Sequence, residues 1–368
     1  MKRQLYSINK YSIGIILVLM ITGCHAGRFI IWNFADIRDH KKFAKIDLEI
    51  DESKTFKFQE TDGNVFVKPT FTSKKDSTSH PSLEQFLKNT KTVAFLVIRN
   101  DSILYEKYLY GRDTAALVPS FSAAKSVVSA LVGIAIAEGH IDSIQDFITK
   151  YIPELPSDPF GKITIEHLLN MRSGLDFKEE YFNPFGHVAK FYYGTNLRKF
   201  TKQLKAKEAP GKTFEYISVN TQLLGWAVEE ATGQNLVDYL EEKIWKPLGM
   251  ETPASWSIDS RKQKLAKAFC CLNATARDFA KFGRLYLNRG DWNGKQIIPE
   301  RWVVESSKFN GGGYKYQWWK VDKESYAAIG FLGQYIYINP NQNLIMIRLG
   351  KQQKTNWERV FRTIAKLN

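Results

Sequence analysis

Ser122 and Lys125 stand three residues apart in the stretch Val118-Pro119-Ser120-Phe121-Ser122-Ala123-Ala124-Lys125-Ser126-Val127-Val128. A serine hydroxyl and a lysine amine at that spacing share one face of a helix. The Ala/Val/Ile-rich run after them continues to Ala137 and is closed by Glu138 and Gly139, which predicts a helix with Ser122 in its first turn. The run is apolar nearly all round, so the helix belongs in the centre of a domain. A hydroxyl at a helix start meets free backbone N–H groups and the positive end of the dipole. A lysine buried beside it shifts toward the neutral amine and can take the serine proton. The chemistry on offer is nucleophilic attack by Ser122 with Lys125 as its base. Ser7 and Lys10 have the same spacing. Spacing alone therefore selects nothing, and the argument rests on the buried setting, where a lysine needs a reason to be.

The chain has 368 residues, 44% hydrophobic and 14% aromatic, which suits one large globular domain or two intimate ones. The net charge is +14, but the lysines are scattered and no aromatic-basic pattern appears. This reads as a solvated basic surface and excludes nucleic acid as the partner. The six histidines show no H-E-x-x-H or other ligand spacing, so no metal is expected. G-x-S-x-G is absent, which disfavours an α/β-hydrolase.

Residues 1–23 read as an export signal, with Lys2, Arg3 and Lys10 before an apolar core at 13–21. Ile21-Thr22-Gly23-Cys24 resembles the lipobox of bacterial lipoproteins, in which the cysteine is lipidated. An ordinary cleavage site and an uncleaved anchor remain the alternatives. On this reading the protein is exported and held by Cys24 on the periplasmic or outer face of a membrane. Residues 24–80 form an N-terminal extension with no legible chemistry; its run at 29–34 either continues the anchor or packs on the domain. Cys270 and Cys271 are adjacent, a spacing that pairs only with difficulty, and are expected to be small buried thiols.

The domain proper is expected at 81–368. Apolar runs at 92–98 and 103–110 around Asn100-Asp101-Ser102 predict a hairpin. A short helix follows at 163–175, with Thr164 as its cap, Gly174 as its stop and His167 as a structural histidine. Residues 177–195, rich in aromatics such as Tyr181, Phe182 and Tyr193, read as a loop placed to line a pocket. An amphipathic helix ends at Gly233, another follows from Leu236, and Thr275-Ala276-Arg277-Asp278 opens a third as a capping box. Strands are predicted at 314–321, 335–338 and 344–349, with a closing helix at 355–367. Strands at both ends and helices between give an α/β chain of the α+β type. One antiparallel sheet is shared by both ends, flanked by helices, with an all-helical insertion at about 116–270.

Several stretches, in this order, carry a family resemblance. They are Ser122-Ala123-Ala124-Lys125; Ile165-Glu166-His167-Leu168-Leu169 leading to Ser173-Gly174-Leu175; Pro210-Gly211 leading to Tyr216 and Leu223-Leu224-Gly225; Pro247-Leu248-Gly249-Met250; Arg277-Asp278-Phe279-Ala280; and Gly330-Phe331-Leu332-Gly333-Gln334. Over roughly 81–368 the chain resembles the serine hydrolases of the β-lactamase/penicillin-binding-protein fold, in the class C-like branch. The run at 171–181 and Tyr316-Gln317-Trp318-Trp319 look most like its 6-aminohexanoate-dimer hydrolases and esterases. The resemblance implies Ser122 as nucleophile, Lys125 as its partner and Tyr216 as the tyrosine of a Tyr-x-Asn motif, whose third position is Ser218 here. It puts Phe331-Leu332-Gly333 at the Lys/His-x-Gly motif, with the polar first residue replaced by phenylalanine. The N–H groups of Gln334 and Ser122 would form the oxyanion hole, and Gly333, Phe331, Ser218 and Tyr181 would contact substrate. No cofactor is implied. The expected activity is hydrolysis of an amide or ester in a small molecule or peptide through an acyl-enzyme, rather than efficient β-lactam turnover. The rival is a non-catalytic peptidoglycan- or ligand-binding sensor on the same fold, motivated by the altered Ser218 and Phe331 positions.

Overall fold

The computed structural model describes residues 25–32, 34–61, 71–72, 79–80 and 82–367. The expected signal segment and Cys24 lie outside these residues. The main sheet has eight strands in the order Tyr314–Lys315, Trp318–Lys320, Tyr326–Gly330, Gln334–Asn339, Leu344–Gly350, Thr92–Arg99, Ser102–Tyr108 and Gln59–Glu60. Every pair is antiparallel except the last. The hairpin of Thr92–Arg99 and Ser102–Tyr108 is therefore joined to the C-terminal strands, with Ile345 facing Ile98 and Ile347 facing Leu96. The strand Tyr326–Gly330 escaped the sequence reading because Ala327 and Ala328 give it little β-branched character.

Helices cover both faces of this sheet. The C-terminal helix Trp357–Leu367 lays Trp357, Phe361 and Ile364 on one face, where the Phe361 ring stacks 5.1 Å from Tyr337. On the other face lies Ala124–Ala137, buried from Ala124 to Ala135 as its all-round apolar sequence requires. Ser218–Thr232 packs against it and ends in left-handed Gly233, φ 68°. This second helix is buried from Ser218 through Val228, so its expected amphipathic character does not hold: Thr221 and Gln222 satisfy their polar groups on Gln317 and Ala266 instead of on water. Thr275 caps Ala276–Leu287 by accepting from Asp278 N–H, and Thr164 with His167 closes a capping box on Ile165–Leu169.

A second, four-stranded sheet has the order Lys45–Leu48, Ala254–Ser257, Leu272–Ala274 and Val118–Pro119. Its last strand runs straight into the Ser122 turn, and Ser120 N–H donates to Leu272 O at 2.8 Å. Its first strand belongs to the N-terminal extension. That extension packs on the domain: the helix His25–Trp32 sets Phe29 against Tyr193 at 5.4 Å, and Tyr192 OH donates to the buried Asp39 carboxylate at 2.8 Å. The loop expected at 177–195 holds a helix, His187–Tyr193, whose buried aromatic face receives these contacts.

The adjacent cysteines also differ from expectation. Cys270 and Cys271 are bonded to each other, with S–S 2.05 Å, and both are buried. Cys271 takes a left-handed φ of 71°, which turns the chain between Phe269 and Leu272 so that the two sulfurs meet across one peptide.

Candidate active site

Ser122 sits in a single 3₁₀ turn, Phe121–Ala123, that feeds directly into the helix Ala124–Ala137. The tighter turn, rather than a full α-helical one, brings the hydroxyl over the helix start, where Lys125 points back along the same face. Lys125 Nζ donates to Ser122 Oγ at 3.0 Å, to Phe269 O at 2.9 Å and to Ser218 Oγ at 3.3 Å. Among the described residues no carboxylate hydrogen-bonds or ion-pairs with it, and it is 1% exposed. Burial pulls the Lys125 ammonium down to about 8, with the Glu179 carboxylate acting in the opposite direction.

Tyr216 reaches the same point from the chain just before Ser218–Thr232. Its ring lies 5.1 Å from Lys125 Nζ and is walled by Trp319 at 5.4 Å and Tyr314 at 5.8 Å. Burial pushes the Tyr216 phenol up, and Glu179 adds to this; only the hydrogen bond with Ser122 pulls the other way. Burial within the aromatic walls is the largest cause.

Glu179 is the group the sequence reading missed. It accepts from Ser218 Oγ at 2.6 Å and Ser218 N–H at 2.8 Å, and Tyr181 OH donates to it at 3.0 Å. Ser218 thereby links the carboxylate to Lys125 as an intermediate hydroxyl. A serine suffices at this position because Glu179 completes the pair of groups that an asparagine would carry on one side chain. The only available signal was an acid in an aromatic-rich loop, and Glu180 beside it looks the same.

The segment at 330–334 lies against the Ser122 turn. A Cβ on Gly330 would meet Ser120 O at 2.1 Å, so only glycine allows this approach. Gly333 has φ 78° and reverses the chain into Gln334. The Gln334 side chain faces away from the site: its amide brackets Gly350, donating to O at 2.8 Å and accepting from N–H at 2.9 Å. Only its backbone is available to a substrate. Phe331 stacks on Tyr181 at 5.0 Å with planes 6° apart, and meets Phe121 edge-on at 5.8 Å.

Ser122, Tyr181, Ser218 and Phe331 border a small apolar pocket of about 40 Å³. Phe331, Tyr181, Phe269 and Cys270 form its walls, and Phe29 and Phe34 close it from the N-terminal extension. The extension thus contributes to the site although it carries no reactive group. Among the described residues no group of three or more His, Cys, Asp or Glu is placed to hold a metal. The family-type stretches at 247–250 and 277–280 lie away from the pocket and hold each other: Lys281 Nζ donates to Gly249 O at 2.9 Å, and Asp278 accepts from Glu251 N–H at 2.7 Å.

Arg348 is buried behind the 330–334 turn. It donates to Leu332 O at 2.7 Å, Gly333 O at 2.6 Å and Thr90 O at 2.9 Å, and stacks over Trp357 at 4.4 Å. Burial lowers this guanidinium to about 9. It satisfies the carbonyls on the back of the turn, which leaves the front to face Ser122. Arg348→Met is expected to lower stability by roughly 2–3 kcal/mol in chemical denaturation, because several buried carbonyls lose their donor. Arg348→Lys should lose nearly as much, since one ammonium cannot span the fork. A wild-type midpoint in either variant contradicts this role.

The beta-lactamase family profile matches residues 82–368. The 6-aminohexanoate-dimer hydrolase of Paenarthrobacter ureafaciens is 30% identical over 303 residues, covering 74% of this chain and 76% of that protein. A provisionally assigned 6-aminohexanoate-dimer hydrolase structure from Bacillus anthracis superposes with a TM-score of 0.80 at 25% identity, covering 92% of this chain and 94% of its own. A class C beta-lactamase shares the fold at 16% identity, with a TM-score of 0.59 over 77% of this chain and 92% of its own. With the Ser122–Lys125 site set between a shared antiparallel sheet and a helical layer, the chain belongs to the beta-lactamase family, as a hydrolase-fold relative of 6-aminohexanoate-dimer hydrolase.

Proposed function

We propose that this protein is a serine hydrolase that cleaves uncharged esters or short linear amides through an acyl-enzyme on Ser122. The observation that carries the reading is the buried Lys125 amine, 3.0 Å from Ser122 Oγ and lowered to about 8. A neutral Lys125 takes the Ser122 proton as Oγ attacks the substrate carbonyl. The oxyanion that forms is met by the backbone N–H groups of Ser122 and Gln334. Tyr216, kept as a neutral phenol, passes its proton to the departing amine or alkoxide and is reprotonated from Lys125. The acyl-enzyme forms as that bond breaks. Water then attacks the ester, giving its proton to the same pair, which passes it to Ser122 Oγ as the acyl bond breaks and the product acid leaves. The relative's own name, 6-aminohexanoate-dimer hydrolase, supports a linear amide as one substrate class.

A fluorophosphonate probe is expected to label wild-type protein at Ser122, and Ser122→Ala should lose both labelling and ester hydrolysis while keeping its fold. Removing one hydroxyl at a helix start costs about 1 kcal/mol. Labelling at another residue, or full activity in the variant, contradicts the assignment. A protein that folds, binds ligand and never labels would instead be the non-catalytic sensor.

Phe331 replaces a polar residue with an aromatic wall, so the site offers a substrate carboxylate no side-chain donor there. Phe331→Lys should raise kcat/KM for carboxylate-bearing substrates relative to p-nitrophenyl esters by about tenfold, the worth of one charge-assisted bond. Faster wild-type hydrolysis of a cephalosporin than of short esters overturns this account of the pocket.

We also propose that the protein is exported and lipid-anchored at Cys24, on the strength of Ile21-Thr22-Gly23-Cys24 following the apolar run at 13–21. Cys24→Ser should move it from the membrane to the soluble fraction; unchanged partitioning contradicts lipidation.

A further inference from the structure

Five large apolar side chains are exposed on two segments that contribute to the lining of the Ser122 pocket. Ile30, Ile31, Phe34, Phe182 and Phe185 are each between 47% and 71% exposed. The two segments touch, with Phe34 and Phe182 in edge-to-face contact at 5.3 Å. Phe34 and Phe182 also line the pocket, so the patch is continuous with its lining. Other exposed large apolar residues, such as Phe147, Val304 and Leu367, come from separate elements. Scattered exposure of that kind is ordinary, whereas a cluster beside a pocket calls for a partner.

Two features on the page identify that partner. The helix carrying Ile30 and Ile31 begins at His25, immediately after Cys24 and the apolar run at 13–21. With Cys24 lipidated, as proposed above, the helix starts at the bilayer surface. The chain leaving the patch is basic on its outer side. Arg38, Lys41, Lys42 and Lys45 are exposed; Lys42 pairs with Asp39 at 2.8 Å and Lys45 with Asp47 at 2.7 Å, while Arg38 and Lys41 make no ion pair among the described residues. Lys42 Nζ donates to Trp32 O at 3.0 Å, which holds this basic stretch beside the patch. An apolar surface rimmed by cations, with a tryptophan at its edge, matches the boundary between acyl chains and anionic headgroups.

We propose that the rim formed by Ile30, Ile31, Phe34, Phe182 and Phe185 docks on an anionic lipid bilayer, with the mouth of the Ser122 pocket facing the lipid. Taken with the hydrolase reading above, on which this last step rests, the preferred substrates are esters or amides carrying an apolar chain that partitions into the membrane. Such a chain passes from lipid into a pocket walled by Phe29, Phe34, Phe121, Phe269 and Phe331 without crossing water.

The full chain, reconstituted into phosphatidylethanolamine/phosphatidylglycerol vesicles containing a trace of phospholipid with a photoreactive acyl chain, tests this. Adducts are expected at 28–34 and 182–186. The triple variant Ile30→Ser, Ile31→Ser, Phe185→Ser changes no pocket-lining residue. It should reduce those adducts, and hydrolysis of a long-chain p-nitrophenyl ester dissolved in the vesicles, by roughly fivefold or more. Hydrolysis of water-soluble p-nitrophenyl acetate should stay within about twofold. Adducts confined to residues 1–24 overturn the proposal, as do copy-to-copy cross-links at 30–34 and 182–185 in place of lipid adducts. Rim adducts on a wild-type protein that hydrolyses neither ester would uphold the docking and defeat the hydrolase reading.

Discussion

The burial of the Lys125 amine is the constraint on which the site depends. An ammonium taken out of water without a touching carboxylate is costly, and the cost is relieved by releasing a proton. Three oxygens surround it: Ser122 Oγ, Ser218 Oγ and Phe269 O. All are neutral, so they hold the amine in place without holding its proton. Glu179 is kept one group away, behind Ser218. Placed in contact with Lys125 it would form an ion pair and remove the base; placed behind a hydroxyl it moderates the shift and leaves the amine near neutrality.

Each of the three oxygens is fixed by a different part of the fold. Ser122 is fixed by the 3₁₀ turn between the small sheet and the central helix. Ser218 is the first residue of the second buried helix, and its N–H is tied to Glu179. Phe269 O belongs to the chain turn closed by the Cys270–Cys271 bond, where Trp256 Nε1 also donates to Cys270 O at 2.7 Å. Arg348 performs the corresponding task for the 330–334 turn from behind. The site is thus supported by two sheets and two helices, which accounts for positions that are set far more tightly than a loop alone allows.

Much of this was legible in the sequence, for identifiable reasons. The central helix, the hairpin and the C-terminal strands announce themselves through length and periodicity, and Thr164 and Thr275 through their capping patterns. Ser122 and Lys125 were visible because a lysine in an apolar helix is anomalous. Glu179 was not, because an acid in a polar, aromatic loop is unremarkable until Ser218 is brought to it from 39 residues away. Arg348 reads as an ordinary strand residue; only the folded contacts with the 332–333 turn, Thr90 and Trp357 bury it. The N-terminal extension carries no reactive group, so its contribution of Phe29 and Phe34 to the pocket is a matter of packing alone. The Cys270–Cys271 bond depends on a left-handed backbone that residue types at those positions do not signal.

The central claim is that Ser122 is activated by a neutral Lys125 whose amine is lowered by burial and moderated by Glu179. The direct measurement is the pH dependence of Ser122 acylation by an uncharged p-nitrophenyl ester, followed in a single turnover from pH ~6 to ~10 in wild type and in Glu179→Gln. The neutral amine is the active form, so the rate should rise with pH and level off, with a midpoint at about 8 in the wild type. Removing the carboxylate that favours the ammonium should move that midpoint to lower pH. A rate flat across this range, or a midpoint that rises in Glu179→Gln, would contradict the account.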